Sequence, residues 1–289
     1  MTEFGNACAV VTGGAGGIGR SLAKALAARG ARVAVADISE DGAAATAAEV
    51  GHGAAGYRCD VCDQGDVERL AAAAARDLGR INFVFANAGV YAAGKLIDTD
   101  PQAFRCLFDV NVGGVFHTIQ AFAPMLLQAA ARGGPARFVL TGSENSVGLP
   151  TLGVNTAYTA TKHALLGMAD GLRRDLEGSG VGVSILCPGA VNTGIWNSGR
   201  ARQPRYGGET SVEPQAAAAT RRSLAANAQD PDLTAQLCLE GVSNDEFMII
   251  ADPKIRTFAL DRNREVERAL DRLDLRVGSA GRAVPPPLS

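Results

Sequence analysis

Tyr158 and Lys162 stand four residues apart in Tyr158-Thr159-Ala160-Thr161-Lys162, at the start of a stretch whose pattern predicts a helix over 156–177. An i, i+4 spacing puts phenol and ammonium on one helix face, where both can reach the same reacting group. A free tyrosine titrates at about 10, too high for easy proton exchange at neutral pH. A neighbouring ammonium stabilises the phenolate and is expected to lower that value, which is the tuning a general acid/base needs. The same pair also occurs on ordinary solvated helix faces, so its meaning rests on what accompanies it.

A second cluster lies near the N-terminus. Thr12-Gly13-Gly14-Ala15-Gly16-Gly17-Ile18-Gly19 joins a β-branched run to a helical stretch, where a backbone must turn tightly and can approach a pyrophosphate at a helix N-terminus. Two registers fit: Gly14-x-Gly16-x-x-Gly19 is a general dinucleotide fingerprint, and Gly13-x-x-x-Gly17-x-Gly19 a related spacing. The glycines alone do not choose between them. Asp37 closes the next predicted strand, where a carboxylate accepts hydrogen bonds from adenosine ribose hydroxyls and repels a 2′-phosphate. No basic residue precedes Gly17 in the loop and Ile38 follows Asp37, so NAD is expected rather than NADP.

These residues need a scaffold that aligns strand ends. Short β-rich runs at 7–12, 32–37, 56–60, 81–86, 137–141 and 181–186 alternate with helical patterns at 18–29, 41–49, 64–78, 101–132 and 156–177. Such alternation predicts an α/β fold: a doubly wound parallel sheet (Rossmann fold) in three α/β/α layers. Beyond Pro188-Gly189 the alternation breaks into an irregular segment, and loops that long are usually functional. Helices at 214–227 and 231–241, a strand at 247–250 and a charged helix at 255–273 follow. One domain over 1–277 is expected, with a substrate loop and lid helix over 193–235, a C-terminal helical extension and a flexible tail over 278–289.

Composition narrows the partners. The 289 residues carry 28 basic and 30 acidic side chains, a net charge of −2, which marks the chain for neither nucleic acid nor an anionic membrane. The expected partner is a small molecule, and the expected location cytoplasmic. Six scattered cysteines in a chain of this size argue against a disulfide framework. Cys59-Asp60-Val61-Cys62 is a lone pair of thiols, read as a strand end; no metal site is expected.

The ordered landmarks Gly13, Gly17 and Gly19, Asp60-Val61, Asn87-Ala88-Gly89, Asn111, Ser143, Tyr158 with Lys162, and Pro188-Gly189 with Thr193 resemble the short-chain dehydrogenase/reductase family over the first two-thirds of the chain. The resemblance implies hydride transfer between NAD(H) and a secondary alcohol or ketone. It implies that Tyr158 moves the proton while Lys162 lowers its pKa and binds the nicotinamide ribose. Ser143 would orient the substrate oxygen, and Asn111 would break the long helix and hold a relay water. Asp60 and Val61 would hold the adenine, Asn87-Ala88-Gly89 would close the fourth strand against the cofactor, and Thr193 would bind the carboxamide. Gly16, Ile18, Ile38, Pro188, Gly189 and Val191 complete the expected cofactor contacts.

Two departures stand out. The interval from Ser143 to Tyr158 is longer than the family's, which makes Ser146 a rival for the serine role; strand alignment favours Ser143. The C-terminus lacks the family's Gly-Gly ending, which puts the usual tetramer contact in doubt. A homodimer or homotetramer is expected. The substrate walls are expected from Val90, Tyr91, Asn145, Val147, Leu149, Leu152, Val154, Ile195 and Trp196, a mostly apolar set suited to a lipophilic or aryl-bearing alcohol. Trp196 fits equally well as a lid residue packed on its own loop. A sensor that binds NAD without chemistry is the competing reading, against which stands the presence of all four expected catalytic side chains.

Overall fold

The computed structural model describes residues 4–150, 155–211 and 214–277. Seven strands form one parallel sheet: β1 (Cys8–Thr12), β2 (Arg32–Asp37), β3 (Ala55–Arg58), β4 (Phe83–Ala86), β5 (Arg137–Thr141), β6 (Gly182–Cys187) and β7 (Met248–Ile250). Their order is β3-β2-β1-β4-β5-β6-β7, so the chain reverses direction across the sheet between β1 and β4. A parallel sheet buries both faces, which is why these strands read as near-continuous apolar runs. In β1, Cys8 and Val10 belong to one core and Ala9 and Val11 to the other.

Helices cover each face. On the first lie α3 (Gln64–Leu78), α5 (Gly114–Ala131) and α6 (Thr156–Asp175), which contribute Leu70, Phe122, Leu126 and Leu165 to that core. On the second lie α1 (Gly17–Ala27), α2 (Glu40–Val50) and α8 (Pro231–Ser243), with Leu22, Leu26, Ala43 and Leu239. The three layers expected from the sequence are present. Further helices are α4 (Pro101–Phe108), α7 (Pro214–Asn227) and the C-terminal α9 (Ile255–Val277).

Most described helix starts use a side-chain cap. Ser39 accepts from Gly42 N, Asp63 from Asp66 N, Asp100 from Ala103 N and Asp230 from Asp232 N. The N-cap of α3 is therefore Asp63, leaving Asp60 for other work. At α1 the cap position is Gly16, which has no side chain, and no acidic residue occupies the first turn.

The helix predicted over 101–132 is interrupted at Asn111, as the family resemblance implied. Between α4 and α5 the residues Asp109–Gly113 form a π-helical turn. Asn111, fully buried there, exchanges hydrogen bonds with the backbone of Val90, its Oδ1 accepting from N (2.8 Å) and its Nδ2 donating to O (3.0 Å). Such a turn inserts an extra residue and re-aims the side chain, a device common at functional sites. Pro101–Ala131 is apolar and long enough by composition to cross a membrane, and in the fold α5 packs on α3, β4 and β5.

The strand ends flanking the reversal are tied together. Thr12 Oγ1 accepts from Asn87 N (3.0 Å) and Ala88 N (3.1 Å), joining the exit of β1 to that of β4. Thr12→Val keeps the shape and orphans both half-buried donors. It is expected to cost on the order of 2 kcal/mol in urea unfolding and to weaken cofactor binding, whereas Thr12→Ser retains most of both. Unchanged stability of the Val variant would contradict this account.

Candidate active site

A cavity of about 1400 Å3 opens over the carboxyl ends of β1, β4, β5 and β6, at the point where the strand order reverses. Gly13 (φ +66°) and Gly17 (φ +52°) adopt left-handed backbone at its floor. A Cβ on Gly19 would lie 2.1 Å from Gly13 O, one on Gly13 2.7 Å from Ala88 Cα, and one on Gly17 3.0 Å from the Thr193 methyl. Gly16 is extended and a Cβ there would meet nothing. All three positions of the Gly13, Gly17, Gly19 register therefore require glycine; in the rival register Gly14 is crowded too, with a Cβ 2.6 Å from Val35 Cγ1, but Gly16 is not.

This cradle fits a dinucleotide. The uncapped α1 N-terminus leaves backbone N–H groups for an anion, with no side chain at Gly16 or Gly17 to obstruct it. Ile18 and Ile38 line the cavity beside it. The Asp37 carboxylate is fixed by Ala15 N on Oδ2 and Ser39 N on Oδ1, both at 3.0 Å, and lines the cavity where a ribose diol would sit. Asp60 accepts from Cys62 N (3.0 Å) and pairs with Arg205 (2.7 Å), with Val61 beside it. Asn87 Nδ2 reaches Thr12 O (3.0 Å) and Gly13 O (3.3 Å), while its Oδ1 accepts from Thr141 Oγ1 (3.1 Å). Ala88 and Gly89 continue the same wall, and Pro188, Gly189, Val191 and Thr193 form the opposite one.

At the other end of the cavity stand Ser143, Tyr158 and Lys162, exposed by only 6%, 8% and 3%. Lys162 Nζ donates to Thr141 O (2.8 Å) and lies 5.5 Å from the Tyr158 ring centre. Tyr91 meets the Tyr158 ring edge-on at 5.2 Å. The side chains around Tyr158 do not produce the expected lowering. Burial pushes Tyr158 above its usual value, against a smaller opposing effect from the Ser143 hydroxyl, and pushes Lys162 down to about 8. Both shifts disfavour charge in a dry pocket.

The two serines divide the work. Ser146 Oγ accepts from Ser143 N (3.1 Å) and closes a short turn over Glu144–Ser146, whereas Ser143 lines the cavity. Asn145, expected as a substrate contact, lines the cavity and is largely buried, with both amide atoms engaged: Nδ2 donates to Ser143 Oγ (3.2 Å) and Oδ1 accepts from Thr159 Oγ1 (2.7 Å). It holds Ser143. The Asn111 side chain is likewise held, by the Val90 backbone and by Thr161 Oγ1 (3.0 Å).

Val90, Tyr91, Leu149, Ile195 and Trp196 line the substrate end, and Trp196 is covered by Arg221 of α7 at 5.5 Å. Val147 packs into the core instead; Leu152 and Val154 lie outside the described residues, as does the tail over 278–289. Several lining residues had no signal in sequence. The start of α9 supplies Phe258, against which Gly148 packs so closely that a Cβ would lie 2.8 Å away. Glu144, pushed up to about 7 by burial and the nearby Asp252, lines the wall with Asp252 and Lys254. Tyr206 also lines the cleft, and Arg205 reaches Asp60 in its wall. The six cysteines are free, and burial raises Cys59 and Cys62 to about 12, so neither is a thiolate at neutral pH.

Residues 7–204 match the family model described as short chain dehydrogenase. The chain is 39% identical over 222 residues to 1-deoxy-11-beta-hydroxypentalenate dehydrogenase of Streptomyces avermitilis, covering 75% of this chain and 80% of that protein. It is 35% identical to 2,5-dichloro-2,5-cyclohexadiene-1,4-diol dehydrogenase of Sphingobium indicum, over 67% and 76% of the two chains. Among solved structures, a short-chain dehydrogenase/reductase from Burkholderia phymatum in complex with NAD superposes with a TM-score of 0.85 at 31% identity, covering 93% of this chain and 97% of that one. Site, topology and relatives agree: the chain belongs to the short-chain dehydrogenase/reductase family of oxidoreductases.

Proposed function

We propose that the protein interconverts a lipophilic secondary alcohol and its ketone with NAD(H). The observation that carries this reading is the buried Ser143, Tyr158 and Lys162 cluster opening onto the same cavity as the uncapped glycine loop and Asp37. NAD held in that cradle would supply the acceptor for the hydride lost from the carbinol carbon. Tyr158 Oη as the phenolate takes the carbinol proton in oxidation, becoming the phenol, and as the phenol gives its proton to the ketone oxygen in reduction. Ser143, whose oxygen accepts from Asn145, has its own hydrogen to turn from Tyr158 to the substrate oxygen, where negative charge develops. Lys162 favours the phenolate electrostatically as the proton leaves. Thr193, pressed against Gly17, is suited to hold the nicotinamide end.

The apolar walls favour a cyclic or aryl-bearing alcohol. Two of the relatives above are named for a hydroxypentalenate and a dichlorocyclohexadienediol, which supports that class. The exposed Phe104, Phe116 and Leu127 on α4 and α5 form an apolar strip to which we assign a two-fold contact between copies.

Tyr158→Phe is expected to lower kcat by roughly 10²–10⁴ while leaving thermal unfolding nearly unchanged, read by reduced-nicotinamide absorbance against a panel of cyclic, aryl and sugar alcohols. Full activity in that variant would overturn the mechanism, and turnover confined to sugars the substrate class. Lys162→Met should abolish activity yet stabilise the cofactor-free protein at pH 7. Because the folded value lies near 8, below the ordinary 10.5, the unfolded chain binds the extra proton between them and stability rises with pH there. The Met advantage, about 1–3 kcal/mol below pH 8, should therefore fade as pH climbs through that window. Urea titrations at pH 7 and pH 10 check the sign.

A further inference from the structure

The loop after Thr193 does more than border the substrate. Its helical turns, Ile195–Ala201 and Pro204–Tyr206, carry the chain away from the catalytic end and across to the far end of the cleft. Three aspartates on three segments receive it. Arg202 Nη2 meets Asp100 Oδ2 at the start of α4 (2.9 Å), Tyr206 Oη donates to Asp109 Oδ2 in the π-helical turn (2.7 Å), and Arg205 Nη2 meets Asp60 Oδ2 after β3 (2.7 Å). Near the catalytic end, Ser198 Oγ accepts from Tyr91 N (2.8 Å), so the strap is pinned at both ends.

The far end is chemically distinct from the catalytic end. Cys59, Val61, Cys106, Val110 and Tyr206 line it, with the Asp60 carboxylate among them and Asp37 further along the same cavity. An apolar slot with one carboxylate suits a flat heteroaromatic ring that carries an amino group. Asp60 uses one direction on each oxygen, for Cys62 N and Arg205, and a carboxylate offers about four, so an amine donor can still be received.

We propose that Arg205 and Tyr206, residues of the substrate loop, complete the adenine end of the cofactor slot, so that the adenosine half of NAD orders the loop that builds the substrate site. This rests on the NAD reading above. Tyr206 supplies a buried wall, and Arg205 is a positioning residue that aims Asp60. Arg205 is 44% exposed, and an ion pair so open to water contributes little alone. Covering by a bound ring would remove that water and strengthen the latch. Substrate affinity then depends on the adenine end of the cleft, although no substrate atom reaches it.

Calorimetry with ADP-ribose and, separately, nicotinamide mononucleotide tests this without turnover. Arg205→Ala is expected to weaken ADP-ribose by about tenfold and leave nicotinamide mononucleotide unchanged. Tyr206→Phe, which keeps the ring and loses the Asp109 bond, should weaken ADP-ribose by a smaller factor. Trypsin cleavage after Arg200 and Arg202 should be slowed by ADP-ribose in the parent protein, not by nicotinamide mononucleotide, and not in Arg205→Ala. Equal ADP-ribose affinity in parent and Arg205→Ala overturns the inference while the NAD reading stands. Equal losses for both fragments also overturn it, by making Arg205 merely structural. A parent protein that binds neither ADP-ribose nor NAD refutes the NAD reading itself.

Discussion

Everything at the site hangs from the knot between the ends of β1 and β4. Where the strand order reverses, neighbouring crossovers leave in opposite directions and a cleft opens without any residue having to make it. The cost is a pair of strand ends whose backbone groups lose their ladder partners. Thr12 and Asn87 meet that cost with side chains: one hydroxyl serves two amides, and one carboxamide serves two carbonyls and the Thr141 hydroxyl. The glycine loop, the wall beside Ala88 and the exit of β5 carrying Ser143 are thereby held in one frame. A shift in that knot would move the anion cradle and the proton-transfer group together.

How much of this was legible in the sequence depended on whether the controlling interactions are local. Parallel strands announce themselves because both faces are buried, and β2, β5 and α3 lie where periodicity and turn residues put them. Gly13 and Gly17 announce themselves because left-handed backbone excludes most side chains. The break at Asp109–Gly113 was invisible as a backbone signal, since Val-Asn-Val reads as helix until Asn111 finds the backbone of Val90, about twenty residues upstream in sequence. Asn145 was legible as a residue near the site but not in its role. Which way an amide points is set by Thr159 and Ser143, and no spacing rule encodes that. The contributions of Arg205 and α9 are wholly tertiary.

The catalytic end is built against its own stability. For a lysine and a tyrosine enclosed together, with one carbonyl and one hydroxyl for company, the charged forms are disfavoured by the same dryness that strengthens each later electrostatic contact. The ordinary packing of α5 and α6 on the sheet must carry this burden. Asn145 and Thr159 show how it is contained: each polar atom that could wander is tied to another, so the reactive groups keep one geometry without water to hold them.

The first turns of α9 form part of the substrate wall, with Phe258 closed against Gly148, yet they lie beyond residue 204, where the match to the family model ends. Part of the cavity wall is therefore written outside the stretch that carries the proton-transfer group, the cradle and strands β1–β6. For a family that acts on many alcohols with one reaction, such an arrangement lets a new substrate be learned at the end of the chain.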